Sequence, residues 1–258
     1  MTNYKYIYGP VNSWRLGRSL GVDPISPKKK VCTLDCVYCQ VGHTPAVAAK
    51  RRIFVSTAKI IKEIKSLPPL KIDYITFSGA GEPTLAKNLG QMIKTIRKIR
   101  SEKIAVITNS SLMKEKDVCR ELLLADFVMA KLDVSSQDLF DKINQPAKAI
   151  KFEDVIKGIK EFKKIFSGKL ALQIMFIREN KKYAKNIARI VKHINPDEVQ
   201  INTPLRPCGV KPLSKKEINN IKKYFKNTNC ITVYESKTKK KVLPISNKQT
   251  LRRRGKIQ

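Results

Sequence analysis

Two hydrophobic periods alternate along this chain. Apolar residues return every three or four positions over Thr57–Leu67, Leu89–Arg100, Lys114–Leu124, Phe152–Phe166, Ala184–Ile194 and Lys215–Phe225. That spacing gives a helix one apolar face. Between these segments lie short runs rich in β-branched and aromatic residues, near Ser19–Asp23, Ile72–Ser78, Ile104–Thr108, Phe127–Asp133, Leu170–Ile177, Glu198–Asn202 and, more weakly, Ile231–Glu235. They read as strands. Strand followed by helix, repeated, predicts an α/β fold with a parallel sheet and helices outside. Six or so such units suit an open, incomplete TIM-like barrel of (β/α)6 type, with its chemistry at the C-terminal strand ends. The chain has 258 residues, enough to bury about three quarters of its extended surface in one core. The expected division is a partial barrel over 1–210, including an N-terminal lead-in, and a basic extension over 211–258 whose end is a candidate for disorder.

Three of the six cysteines change the picture. Cys32, Cys36 and Cys39 follow a C-x-x-x-C-x-x-C spacing. Thiolates this close can wrap one face of an iron–sulfur cube. A four-iron cluster normally takes four cysteine ligands, so three leave one iron open, as a reactive metal centre requires. A zinc site would call for two C-x-x-C pairs or histidines at finger spacing. The only histidines are His43 and His193, and Cys119, Cys208 and Cys230 are scattered singly, so no second triad offers an auxiliary cluster. A disulfide framework would need an export signal, and the N-terminal residues show no apolar core of one. Chance clustering of thiols in a cytoplasmic protein stays open on the cysteines alone.

The strand ends carry further polar motifs. Ile72–Ser78 runs into Gly79-Ala80-Gly81-Glu82-Pro83-Thr84, and glycines there let the backbone approach a ligand closely. Ile104–Thr108 runs into Asn109-Ser110-Ser111, Phe127–Asp133 ends with Lys131 and Asp133, and Asn144-Gln145-Pro146 follows. In this order, with the cysteine triad ahead of them, these segments resemble the radical S-adenosylmethionine (radical SAM) superfamily over about the first two hundred residues. The lead-in Gly9–Asp23, with Trp14 and Arg15, resembles one branch of it, Fe–S oxidoreductases related to tRNA wyosine-base synthases. So does Val199–Pro207, which contains Arg206.

The resemblance implies a [4Fe-4S] cluster on Cys32, Cys36 and Cys39, with S-adenosylmethionine on the fourth iron. Gly79, Gly81 and Glu82 would hold the cofactor's methionine end, Asn109 and Ser110 its ribose, and Val37 and Tyr38 its adenine side. Lys131 and Asp133 are further cofactor candidates or a buried ion pair. It also implies reductive cleavage to a 5′-deoxyadenosyl radical, with an electron donor such as flavodoxin or ferredoxin. Ala80, set between the two glycines, departs from the superfamily's Gly-Gly-Glu pattern and blurs which carbonyl meets the cofactor.

Charge adds a partner. Lys and Arg number 53 against 21 Asp and Glu, a net charge of +32. Residues 211–258 hold fifteen basic and two acidic side chains, with Lys237–Lys241 and Arg252–Arg254 dominating. Lys28–Lys30 and Lys50–Arg52 bracket the cysteine loop. Such a surface suits a polyanion, and RNA loops, as in tRNA, offer unstacked bases for chemistry. A solvated basic tail is the plainer alternative. No apolar run of 18 residues exists, so no membrane span is expected. Radical chemistry on a small metabolite or a partner protein, and a non-enzymatic Fe–S RNA-binding or redox-sensing module, remain alternatives.

Overall fold

A computed structural model describes residues 4–26, 29–235 and 242–254. Its sheet has eight strands in sequence order: β1 (Ile7–Ser13), β2 (Gly17–Val22), β3 (Tyr74–Phe77), β4 (Lys103–Thr108), β5 (Phe127–Lys131), β6 (Lys169–Met175), β7 (Glu198–Asn202) and β8 (Cys230–Thr232). β1 and β2 form an antiparallel pair, and every later neighbour is parallel. The crossovers run through α1 (Thr57–Lys65), α2 (Leu89–Arg97), α3 (Lys116–Leu122), α4 (Gln137–Ile143), α5 (Phe152–Ile165), α6 (Ala184–Ile194) and α7 (Lys215–Lys222). A last helix, α8 (Asn247–Arg254), returns to pack on β1. The result is a half-barrel.

Register sorts the strand residues by twos. Val22, Phe77, Val106 and Val128 are paired in succession, and all are buried in the main core with the helices' apolar faces. The alternate residues face inward. At one end Leu16, Ala105, Phe127, Met129 and Ala171 form a small apolar plug. Toward the other end the inward positions become polar, with Thr76, Lys131, Gln173 and Asn202 lining a cavity. A half-barrel plugged below and polar above can hold a ligand only at its C-terminal strand ends.

Three elements lie outside the periodic segments. β1 carries Gly9 and Pro10 and a bulge between Tyr8 and Val11, tolerable because it is an edge strand. α4 has seven residues, too few for a period to register, and starts where the Ser136 hydroxyl accepts the Leu139 N–H. α8 buries Gln249, Thr250 and Arg253, so its inner face is polar. The expected boundary at residue 210 does not divide the packing: β8 pairs with β7, and α7 packs on both. Lys28, Ser236–Lys241 and Gly255–Gln258 lie outside the described residues.

Candidate active site

The cysteine loop between β2 and α1 is tied to the turn after β3 and to the end of α4 and the turn after it. Val31 bridges Gly81 and Leu34 bridges Pro146. The Val37 N–H donates to the Ile143 carbonyl at 3.0 Å, and Asp35 N–H to that of Asn144 at 3.0 Å. Gly81 is required for this docking: a Cβ there would lie 1.9 Å from the Val31 carbonyl oxygen. Gly79, at φ +149°, faces Asp23, whose carboxylate a Cβ would meet at 2.3 Å. Asp23 in turn accepts the Ala80 N–H at 3.2 Å. Both glycines thus serve backbone approaches within the protein. Ala80, whose side chain is buried, fits between them without disturbing either.

Each triad sulfur receives an N–H. Asn109 Nδ2 lies 3.4 Å from Cys32 Sγ, Asn144 Nδ2 lies 3.4 Å from Cys36 Sγ, and Lys30 Nζ lies 3.1 Å from Cys39 Sγ. Burial, with the fields of Glu82 and Cys36 adding to it, pushes the Cys32 thiol up to about 12. Burial and then Asp133 push Cys36 up to about 11. Both are therefore protonated near neutrality, and metal loading must displace those protons. Among the described residues all six cysteines are free, and no three His, Cys, Asp or Glu side chains gather round a point as a single ion needs. Three unpaired thiols on a cavity wall, each with a hydrogen-bond donor, instead fit an iron–sulfur cluster, whose potential such donors tune.

The cavity they border has a volume of about 280 Å³. Of the expected cofactor residues, Tyr38, Gly81, Glu82, Asn109 and Lys131 line it. Val37, Gly79, Ser110 and Asp133 do not, and each has a structural position instead. Val37 sits in the docked loop. Ser110 is fully buried at φ +70° with its hydroxyl unbonded. Asp133 is a buried acceptor that takes the Met175 N–H at 2.7 Å, the Tyr38 hydroxyl, Asn144 Nδ2 at 3.2 Å and the Lys131 ammonium at 3.3 Å. It joins the cysteine loop to β5, β6 and α4. Asn144 is the partner sequence reasoning left without a role, although its Asn-Gln-Pro turn marks the place.

Glu82 is also occupied by the protein. Its carboxylate accepts Thr84 N–H at 3.1 Å, Thr84 and Thr108 hydroxyls at 2.7 Å each, and Asn109 N–H at 2.7 Å. Burial raises its pKa while these donors oppose the rise. It fixes the ends of β3 and β4 together, and so fixes Asn109.

A family model for the Radical SAM superfamily matches residues 28–191, well over half of the chain. The chain belongs to the radical SAM superfamily. It is 41% identical over 216 residues to a UPF0026 protein of Synechocystis, covering 83% of this chain and 80% of that one. In fold it is similar to the native anSMEcpe structure with bound AdoMet: TM-score 0.63, 16% identity, 84% of this chain and 64% of that chain. Archaeal TYW1 is similar at TM-score 0.60 and 14% identity, over 82% of this chain and 72% of that one. As a superfamily member the chain is an enzyme, and the family implies S-adenosylmethionine and an iron–sulfur cluster. Cys32, Cys36 and Cys39 are the residues that would hold the cluster, which would supply one-electron reducing chemistry there.

The basic clusters expected at the surface are partly structural. Lys30 turns inward, 2.7 Å from the Gly42 carbonyl. Arg51 is bound by Asp117 and Glu121, and Arg52 stacks on Phe54 at 4.6 Å. Arg253 is buried against Asp23 at 2.7 Å. Among the described residues no helix is long and apolar enough to cross a membrane.

Proposed function

We propose that this radical SAM enzyme holds a [4Fe-4S] cluster on Cys32, Cys36 and Cys39, cleaves S-adenosylmethionine reductively to a 5′-deoxyadenosyl radical, and uses it to modify an RNA base, in tRNA. The observation that carries the first part is the set of three free thiols, each with an N–H donor, bordering the cavity beside Gly81, Glu82 and Asn109. An external one-electron donor of the flavodoxin or ferredoxin kind provides the electron. The chain's own part is orientation: Asp133, Asn144 and Glu82 fix the loop and strand ends, and the apolar plug closes the cavity floor.

The net charge of +32 supports a polyanionic substrate. The cavity supports chemistry on one residue taken out of a strand. Both parts are tested anaerobically. Protein reconstituted with iron and sulfide, and reduced with dithionite, is expected to form 5′-deoxyadenosine from S-adenosylmethionine. A Cys32→Ala, Cys36→Ala, Cys39→Ala variant is expected to form none. Bulk tRNA is expected to bind, with affinity falling steeply as salt rises. An intact cluster that leaves the cofactor uncleaved would overturn the enzymatic reading. Cleavage without any tRNA binding would turn the substrate toward a small metabolite or a partner protein.

A further inference from the structure

Three arginines from distant parts of the chain meet at one cavity. Arg15 comes from the turn joining β1 and β2, Arg206 from the loop after β7, and Arg254 from the end of α8; all three line the space bordered by the cysteines. Five other arginines have acidic partners: Arg18 with Asp73, Arg51 with Asp117 and Glu121, Arg97 with Asp126, Arg100 with Glu102, and Arg253, also on this cavity, with Asp23. Among the described residues these three form no ion pair. Arg206 Nε donates to Gln40 Oε1 at 2.6 Å, and its Nη1 donates to the Arg254 carbonyl. Arg15 lies 5.1 Å over the Trp14 ring, and its Nε is buried without any acceptor.

Among the described residues the one acid on the cavity wall is Glu82, already satisfied by Thr84, Thr108 and Asn109. Glu198 acts on Arg15 from a distance, but it is bonded to Lys169 and Gln200. Burial therefore acts on all three, and the neighbouring arginines add repulsion at Arg15 and Arg206. Arg15 is pushed down to about 9, by burial first and then by Arg254 and Arg206. Arg206 is pushed down to about 10 by burial and then Arg254, and Arg254 is lowered by burial. A guanidinium presents a planar fork that pairs with phosphate by two parallel bonds. Converging forks that leave their charge unmatched are arranged for an anion from outside.

We propose that Arg15, Arg206 and Arg254 form the seat for a phosphate group of a nucleotide substrate, and that α8 supplies the last wall of the substrate site. This rests on the reading above that the cavity is where the cofactor's radical meets RNA. Gln40 follows the ligand Cys39 and is bonded by Arg206, so the seat and the cysteine loop share a wall. A nucleotide phosphate held there sets its base or ribose inside the cavity rather than on the outer surface.

The test uses the reconstituted full chain, with 5′-deoxyadenosine formation confirmed first, so that failure of the radical reading is seen separately. Adenosine monophosphate and bulk tRNA are the probes, by calorimetry with S-adenosylmethionine present. Arg15→Gln, Arg206→Gln and Arg254→Gln are each expected to weaken probe binding about tenfold to a hundredfold, the range of a charged hydrogen bond. Lys226→Gln, which removes the same charge from an exposed site, is expected to change it less than threefold. Arg15→Gln is also expected to raise the melting temperature of the unloaded protein, because it removes an unmatched buried charge. A general folding defect would lower it. Tighter tRNA than monophosphate binding would assign the phosphate to RNA, and the reverse order to a free nucleotide; either result supports the seat. Equal losses in Lys226→Gln, a parallel loss of S-adenosylmethionine affinity, or no saturable binding of either probe would overturn it.

Discussion

Replacing Arg253 by alanine tests how α8 is held to the barrel. Its guanidinium donates to Asp23 Oδ2 at 2.7 Å, to the Lys5 carbonyl and Ser26 Oγ at 2.7 Å each, and to Gln249 Oε1 at 2.5 Å. The side chains of Arg253 and Asp23 are 0% and 1% exposed. Truncation removes the cation and leaves Asp23, among the described residues, with the N–H groups of Ile25, Ser26 and Ala80. Breaking a buried pair on one side costs about 3–5 kcal/mol. Neutralising both sides, as Asp23→Asn with Arg253→Met, is expected to cost clearly less, because no unpaired charge is left behind. The assay is urea unfolding at neutral pH, with the midpoint converted at constant slope. S-adenosylmethionine binding is read beside it, because Asp23 also contacts Gly79 and the Ala80 N–H. Arg253→Ala is expected to lower both stability and cofactor affinity. A variant within about 0.5 kcal/mol of the parent, the range of an ordinary surface substitution, would refute the reasoning.

Gly81→Ala would place a Cβ 1.9 Å from the Val31 carbonyl, where only backbone can give way. It is expected to cost about 1–3 kcal/mol as overpacking and to lower the iron retained per chain. Full iron content at the parental melting temperature would show that the loop does not dock there. At α7, Ser214 and Glu217 form a capping box, and Lys181 lies 2.7 Å from Glu217. Lys181, then the Ser214 donors, hold the Glu217 carboxyl at about 2, below its ordinary 4.5. A depressed carboxyl contributes stability above the ordinary value, and that contribution is lost as pH falls toward 2. The parent is thus expected to lose more stability than Glu217→Gln across that window, and parallel melting curves would contradict the assignment.

How much was legible follows from the range over which each signal acts. β3 to β7 and α1, α2, α5, α6 and α7 lie within or beside the periodic segments, because each buries one face and therefore repeats apolar residues at its own period. β1 hides because Gly9 and Pro10 look like a turn, and only its place at the edge of the sheet permits them. α8 hides because the face it buries is Gln249, Thr250 and Arg253, which no hydrophobic period can mark. Asn144 could be seen as part of a turn, but its bonds to Cys36, Tyr38 and Asp133 could not.

By itself the sequence determined the order of strands and helices, the three thiols and the strand-end polar motifs, because all of these are local in the chain. Tertiary structure alone decided that Gly79 and Gly81 make room for Asp23 and Val31. It decided that Glu82 is consumed in holding β3 to β4, and that Asp23 finds its cation 230 positions away. It also brought Arg15, Arg206 and Arg254 to one cavity, none of them paired with an acid among the described residues. Charges that far apart carry no spacing to read; only closing the sheet around a common space makes them neighbours.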